Sequence, residues 1–403
     1  IIKLRTMKKI LLSTLTTLLL LTGCSSIKTI KLMKSGEVEQ EEFNVKIPFE
    51  YRLGLIILKV DIAGKEYDFV LDTGAPSVIS KELAKKLDLS NITEQKVGDS
   101  QGEDSNLGFT TIEKLSISDI NFLNTGAVIA DLNQSQEVGC LKIDGFIGSN
   151  LMRKAIWKFD YQNQIITITN SIESLNIPKS TNKIPFFTEL TGTPIIDILL
   201  NNITEKNVTV DLGSNGDISL SRKTFDRLMK NNPSIPQTYS FGNSTSGLYG
   251  LGKADSTFYL KVPSISFGDI SLDSTIVQFT SKSASTIGTE FFKNYDLIIN
   301  WFTKEIILIN QTEYNNSTLS SFGFSFSNQE SKLTVSKIYE NMEYLKVGDQ
   351  ILSIDGTNYK ELIPEQWCEI VENGLLKDKE EISITILRNN KEFTFTLKEM
   401  KLI

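Results

Sequence analysis

One pattern in this chain is written twice, and it constrains the fold more than any other feature. Phe69-Val70-Leu71-Asp72-Thr73-Gly74-Ala75 returns 139 residues later as Val208-Thr209-Val210-Asp211-Leu212-Gly213-Ser214. A second landmark, Ile147-Gly148-Ser149-Asn150-Leu151, returns 140 residues later as Ile287-Gly288-Thr289-Glu290-Phe291. Each second landmark is followed by two short apolar runs, 155–160 with 164–168 and 297–301 with 305–309. Two landmarks that share nearly one offset mark a duplicated structural unit. The chain is therefore expected to build two homologous lobes, at 46–180 and 181–316.

Within each half the local signals favour strands. Leu55 to Ile62 is aliphatic and β-branched, Ala63-Gly64 supplies a turn, and Tyr67 to Leu71 returns as a second strand. Helical stretches are few: Lys81–Leu87, Arg222–Lys230 and short pieces near Leu151 and Phe291. The expected class is mainly β.

Composition then narrows the chemistry. The 403 residues, 40% of them hydrophobic and 23% charged, suffice for more than one core. There is no histidine at all, which removes Ser-His-Asp and Cys-His catalysis and His-ligated zinc. A net charge of −7 and the lack of a long basic run argue against nucleic acid as a partner. The three cysteines, Cys24, Cys140 and Cys368, lie too far apart for a zinc cluster. Cys140 and Cys368 are expected as two separate buried thiols rather than a bridge.

Each lobe sets an aspartate after a hydrophobic strand and before a glycine. The strand fixes the carboxylate on rigid backbone, and the glycine lets the loop approach the other lobe closely. A pseudo-twofold axis would bring Asp72 and Asp211 together. Two carboxylates in contact cannot both ionise cheaply, so the pair shares a proton. One member can then activate water while the other polarises a carbonyl, which is acid–base hydrolysis without histidine or metal.

Asp72-Thr73-Gly74-Ala75, followed by Val78-Ile79-Ser80 and by Gly145-Phe146-Ile147-Gly148, resembles an aspartic protease of the retropepsin-like class. The resemblance covers residues 46–316 and implies two closed β-barrel lobes of the acid-protease fold. It implies Asp72 and Asp211 as the catalytic dyad of an endopeptidase. Thr73, Gly74, Ala75, Leu212, Gly213 and Ser214 would form the active-site loops, with Ile147, Gly148, Ile287 and Gly288 packed beneath them. A polypeptide is the implied substrate, and neither metal nor cofactor is implied. Flap hairpins would lie at Gly98–Phe109 and Phe241–Gly252, with Tyr249 as a candidate to close over substrate. One departure stands out. The family places a hydroxyl after each aspartate to bond across the axis, and Leu212 has none. An active endopeptidase and a non-catalytic peptide-binding pseudoprotease are both compatible with that change.

Residues 318–403 resemble a PDZ domain, a partly open β-barrel with helices. Ser321-Phe322-Gly323-Phe324 is similar to the loop that receives a peptide's C-terminal carboxylate, which assigns Phe322, Gly323 and Phe324 to that role. Leu345 to Gly356 resembles the core of the same family, and Pro364–Glu372 reads as its helix. The resemblance implies docking of a peptide C-terminus as an added strand. At the other end, Lys8 and Lys9 precede an apolar run, Ile10 to Leu21, that stops at Leu21-Thr22-Gly23-Cys24. This resembles a lipoprotein signal peptide over residues 1–24, with Cys24 acylated and residues 25–45 serving as a tether. The expected location is the bacterial cell envelope, lipid-anchored and facing the periplasm. The outer membrane is favoured because no acidic residue follows Cys24.

Overall fold

A computed structural model describes residues 27–99, 103–179, 181–243, 246–281 and 284–403. The chain is mainly β. In the first half, Leu55–Ile62 pairs with Lys65–Asp72 through a turn at Ala63 and Gly64, both at positive φ (56° and 77°). Such turns match the right-handed twist of the strands they join. Lys65–Asp72 then runs parallel to Gly145–Gly148, which pairs with Val78–Ser80, which pairs with Ile120–Ala130. Ile120–Ala130 pairs with Asp104–Ile117, and the contact Asp61↔Ser116 returns to the first strand. Six strands thus close into a barrel.

The second half repeats this circuit. Pro194–Leu200 pairs with Ile203–Val210, then Thr286–Ile287, Ile218–Ser221, Ile270–Thr280 and Asp255–Phe267, and the ring closes at Leu199↔Ser266. Its first hairpin also turns on two positive-φ residues, Asn201 and Asn202.

A six-stranded sheet joins the halves, in the order Asn182–Pro185, Glu305–Asn310, Tyr295–Asn300, Ile156–Asp160, Ile165–Thr169, Asn44–Pro48. Its central pair sets Trp157 opposite Ile299. These are the repeated apolar runs of the sequence, and they are buried on both faces, one by the main core and the other by a smaller cluster of Ile156, Leu175, Ile298 and Ile307. One continuous apolar core runs through Phe69, Trp157, Leu212 and Phe291 of both halves.

Two expectations are corrected here. The composition of residues 25–45 predicts a tether, but 27–34 are helical and Glu37–Val38 pairs with Ile120–Ala130. The segment docks because Met33 is buried and because Gly126 leaves room; a Cβ there would lie 2.2 Å from the Leu32 carbonyl oxygen. Cys24 lies outside the described residues. The second correction concerns Cys140 and Cys368, which form a disulfide across 228 residues of sequence. Cys140 ends the short helix Gln136–Cys140, and Cys368 lies on the helix Pro364–Asn373, which packs against it. Linear spacing carries no information about that contact.

Beyond residue 318, the strands Phe324–Gln329, Lys332–Tyr339, Gln350–Ile354, Glu381–Arg388 and Lys391–Lys398 surround their own core of Phe322, Leu345, Ile351, Trp367 and Ile384. The helix Pro364–Asn373 begins with proline, whose fixed φ and missing N–H suit a first helical position. This region is tied to both halves. The disulfide holds it to the first. In the second, Ser240–Gly242 pairs with Lys337–Tyr339, extending the barrel sheet outward. Glycine is required at 242, where φ is +133° and a Cβ would lie 2.1 Å from the Ser336 carbonyl oxygen.

Candidate active site

Asp72 is the last residue of the strand Lys65–Asp72, held opposite Gly148 in parallel register. Asp211 follows the strand Ile203–Val210, and its N–H donates to the Ile287 carbonyl at 2.9 Å. The Gly74 N–H donates to Asp72 Oδ1 at 2.8 Å, and the Gly213 N–H donates to Asp211 Oδ1 at 2.9 Å. The glycines then cross the axis. A methyl group on Gly74 would lie 2.7 Å from Asp211 Oδ1, and one on Gly213 would lie 2.7 Å from Asp72 Oδ1. Any side chain at either position would push the opposite carboxylate away. The structure thus brings Asp72 and Asp211 together, each carboxylate under the glycine of the opposite loop and each charge felt by the other.

The electrostatics follow from that contact. Burial raises the Asp72 carboxyl well above the usual range, the Asp211 charge raises it further, and N–H groups of Gly74 and Ala75 oppose the shift. Burial likewise raises Asp211, against N–H bonds from Gly213 and Ser214. The pair therefore holds one proton above the pH at which an isolated carboxyl loses it.

Thr73 is fully buried on the axis. Its hydroxyl donates to the Val210 carbonyl at 2.6 Å and accepts the Leu212 N–H at 2.9 Å. The reciprocal bonds are missing because Leu212 has no hydroxyl, and its side chain enters the apolar core instead. Half of the cross-axis grip is made.

The loop-supporting residues occupy equivalent places. Ile147 and Ile287 are fully buried. A Cβ at Gly148 would lie 2.1 Å from the Pro76 carbonyl carbon, and one at Gly288 would lie 2.3 Å from the Gly216 carbonyl oxygen. The Ser149 N–H donates to Ala75 O and the Thr289 N–H to Ser214 O, both at 2.9 Å.

Further from the axis the halves differ. In the first, Asn150 Oδ1 accepts the Ser77 N–H at 2.7 Å and the Ser77 hydroxyl at 2.9 Å, while its amide donates to the Gly126 carbonyl. In the second, where the loop is two residues longer, the strand register puts Ile218 in the place of Ser77 and Glu290 in that of Asn150, and no such network forms among the described residues. Instead the Tyr314 hydroxyl donates to both Asp217 oxygens, at 3.0 and 2.9 Å, and the Asn316 amide donates to Oδ2 at 2.8 Å. Sequence reasoning does not single out Asp217, Tyr314 and Asn316. A signal exists: Asp217 is an ionisable group immediately before the strand Ile218–Ser221.

Two hairpins lie at matching positions, Thr93–Gly98 with Asp104–Ile117 and Gln237–Gly242 with Asp255–Phe267. Their tips meet. The Tyr249 hydroxyl donates to the Val97 carbonyl at 2.9 Å, its N–H reaches the Asp99 carboxylate at 3.3 Å, and Lys253 pairs with Glu103 at 2.8 Å. Leu248 and Tyr249 pack beside Val78, Leu107 and Phe146 of the first half. In the last region, Phe322 and Phe324 are buried, Gly323 has φ +82°, and its N–H donates to Ser321 Oγ at 3.0 Å. Phe324–Gln329 pairs on one side with Lys332–Tyr339 and shows no strand on its other edge among the described residues.

No curated protein matches this chain. A family model described as aspartyl protease matches residues 58–151, a stretch that contains Asp72 and its loop and extends through Ile147 and Gly148, so the first half of this mainly β chain is similar to aspartyl proteases.

Proposed function

We propose that this protein is an aspartic endopeptidase whose dyad is Asp72 and Asp211. The observation that carries the reading is the reciprocal crossing of Gly74 and Gly213 over the opposite carboxylates, which leaves the pair in contact on rigid loops. A water held between the carboxyls loses a proton to the ionised aspartate as its oxygen attacks the peptide carbonyl carbon. The protonated aspartate gives its proton to the carbonyl oxygen. A gem-diol results, the C–N bond breaks, and the leaving amine takes a proton from the dyad. No covalent enzyme intermediate forms. The meeting tips at Tyr249 and Val97 would cover an extended polypeptide in the cleft.

Residues 318–403 would act as a PDZ domain, adding a peptide C-terminus as a strand at the open edge of Phe324–Gln329. The Cys140–Cys368 bridge agrees with an oxidising compartment, and so with a periplasm-facing lipoprotein anchored through Cys24. The second reading, a peptide-binding cleft without turnover, draws on Leu212.

The test is cleavage of a peptide library by the wild type, Asp72→Asn and Asp211→Asn. The endopeptidase reading expects turnover in the wild type and a loss of about 10³-fold or more in each variant. Peptide binding with no turnover in the wild type would establish the pseudoprotease instead.

A further inference from the structure

The Asp211 loop lacks two devices that hold the Asp72 loop: a hydroxyl after the aspartate, and the Ser77–Asn150 network. It nevertheless stays in mirror-like geometry with its partner. Something else must hold it, and the residues around Asp217 are placed to do so.

Asp217 closes the same loop that Asp211 opens. Its carbonyl accepts the Gly288 N–H at 3.0 Å, joining the loop to the support beneath it. Its carboxylate accepts from Tyr314 and Asn316, both on the segment that follows the last strand of the second half. That segment is itself anchored. The Tyr314 ring packs edge-on against Phe291 at 4.9 Å, and Phe291 belongs to the helix that supports the loop. Asn316 exchanges bonds with Ile276 of the barrel, donating to its carbonyl at 3.1 Å and accepting its N–H at 2.7 Å.

We propose that Asp217, clamped by Tyr314 and Asn316, is a positioning residue that sets the Asp211 loop in register in place of the hydroxyl absent at 212. The inference rests on the reading of Asp72 and Asp211 as the dyad. It goes beyond that reading by assigning a role to residues that touch neither substrate nor reacting atoms.

The clamp carries a pH signature. Burial raises the Asp217 carboxyl to about 6, against the Tyr314 and Asn316 bonds, with Glu290 raising it further. The Tyr314 and Tyr295 hydroxyls that feel this carboxylate are shifted upward and stay protonated. Below about pH 6 the carboxyl takes a proton and loses acceptor capacity, so the clamp loosens.

Tyr314→Phe tests this, since it keeps the ring against Phe291 and removes only the hydroxyl. The expected result is a kcat about tenfold lower with KM changed less than twofold, the pattern of a misplaced reacting group. The loss should be smaller at pH 5 than at pH 7.5, because protonation already weakens the wild-type clamp. Asp217→Asn should also lower kcat, and Asp217→Glu should recover part of it. An unchanged kcat in Tyr314→Phe at both pH values overturns the proposal, as does an equal loss at both.

Wild-type cleavage is measured first, and its absence defeats the endopeptidase reading alone. The clamp is then judged by ¹³C NMR titration of the Asp72 and Asp211 carboxyls. A shifted titration in Tyr314→Phe supports it, and an identical one overturns it. Melting temperatures confirm that each variant is folded.

Discussion

The two aspartate loops trace the same path and are held in different ways. The Asp72 loop is secured within its own lobe by Asn150 gripping Ser77, and its Thr73 hydroxyl reaches across the axis to Val210 and Leu212. The Asp211 loop has a core leucine on the axis and is secured from outside, by Tyr314 and Asn316 on the chain leaving the lobe. What is common to both is the part that touches the carboxylates: a glycine two residues on, and an Ile-Gly pair beneath. Sequence symmetry persists where backbone must approach a charged group closely, and lapses where a bond can come from another direction. The bracing segment leads directly into residues 318–403, which also pair with the strand Gln237–Gly242 and are cross-linked to the first lobe. The second loop is therefore braced by a segment continuous with residues 318–403, whereas the bonds that hold the first loop come from the lobes themselves.

The largest expected effect tests the shared part. Gly74→Ala and Gly213→Ala each place a methyl within 3 Å of the opposite carboxylate. Each should reduce kcat/KM by about 10³-fold, because the displaced carboxyl no longer shares a proton or orients water. A peptidase assay checks this. A strong effect from one and a weak effect from the other would break the equivalence of the loops.

The axis tests the first difference. Thr73→Val leaves the Val210 carbonyl and the Leu212 N–H buried without partners, and should cost about 2–4 kcal/mol of stability. Leu212→Thr gives up apolar burial but supplies the missing hydroxyl, so its cost should be less than half as large. Denaturant unfolding of both variants decides, and equal costs would mean that the threonine grip contributes nothing special. Next in size, Asn150→Ala removes three buried bonds and should cost about 2–3 kcal/mol. Glu290→Ala, at the matching position, removes a surface pair with Lys293 and should stay within about 0.5 kcal/mol.

Much of this site can be read from the chain because duplication repeats constraints as well as residues. Asp72, Asp211 and their glycines appear in order at one offset, so their meeting follows from symmetry alone. The helices Lys81–Lys86 and Arg222–Asn231 are legible because each begins at a capping serine, Ser80 and Ser221, before a helical run. What escapes is contact that obeys no period. Cys140 and Cys368 meet through the packing of two short helices from distant regions. Residues 27–34 mix lysines with apolar residues, and Met33 and Leu32 pack into the lobe. A hairpin at Tyr249 is visible in the sequence, but its landing on Val97 depends on how two tips converge. Leu212 suggests only a loss, since the replacement clamp lies about a hundred residues away, at Tyr314 and Asn316.

The smallest expected effect concerns stability, and it separates the clamp from the rest of the loop. The Asp217 carboxyl is raised to about 6 in the folded chain, against about 3.9 for an unfolded aspartate. Between those values the native state binds more protons than the unfolded state, so this group lowers stability as pH rises from about 4 to about 6, with no further change above. An asparagine in its place cannot ionise, so Asp217→Asn removes that slope. The Asp72–Asp211 pair is present in both proteins and its own slope cancels in the difference. The melting temperature of Asp217→Asn relative to wild type should therefore increase by a few degrees between pH 4 and pH 7.5. The same substitution lowers kcat, so a gain in relative stability and a loss of turnover would coincide at neutral pH. That combination is expected of a charge kept for positioning, because a charge kept for stability would lose both together. A melting difference independent of pH would place the Asp217 carboxylate in ordinary solvent, and the two loops would then differ at Leu212 and in the Ser77–Asn150 network but not by a clamp.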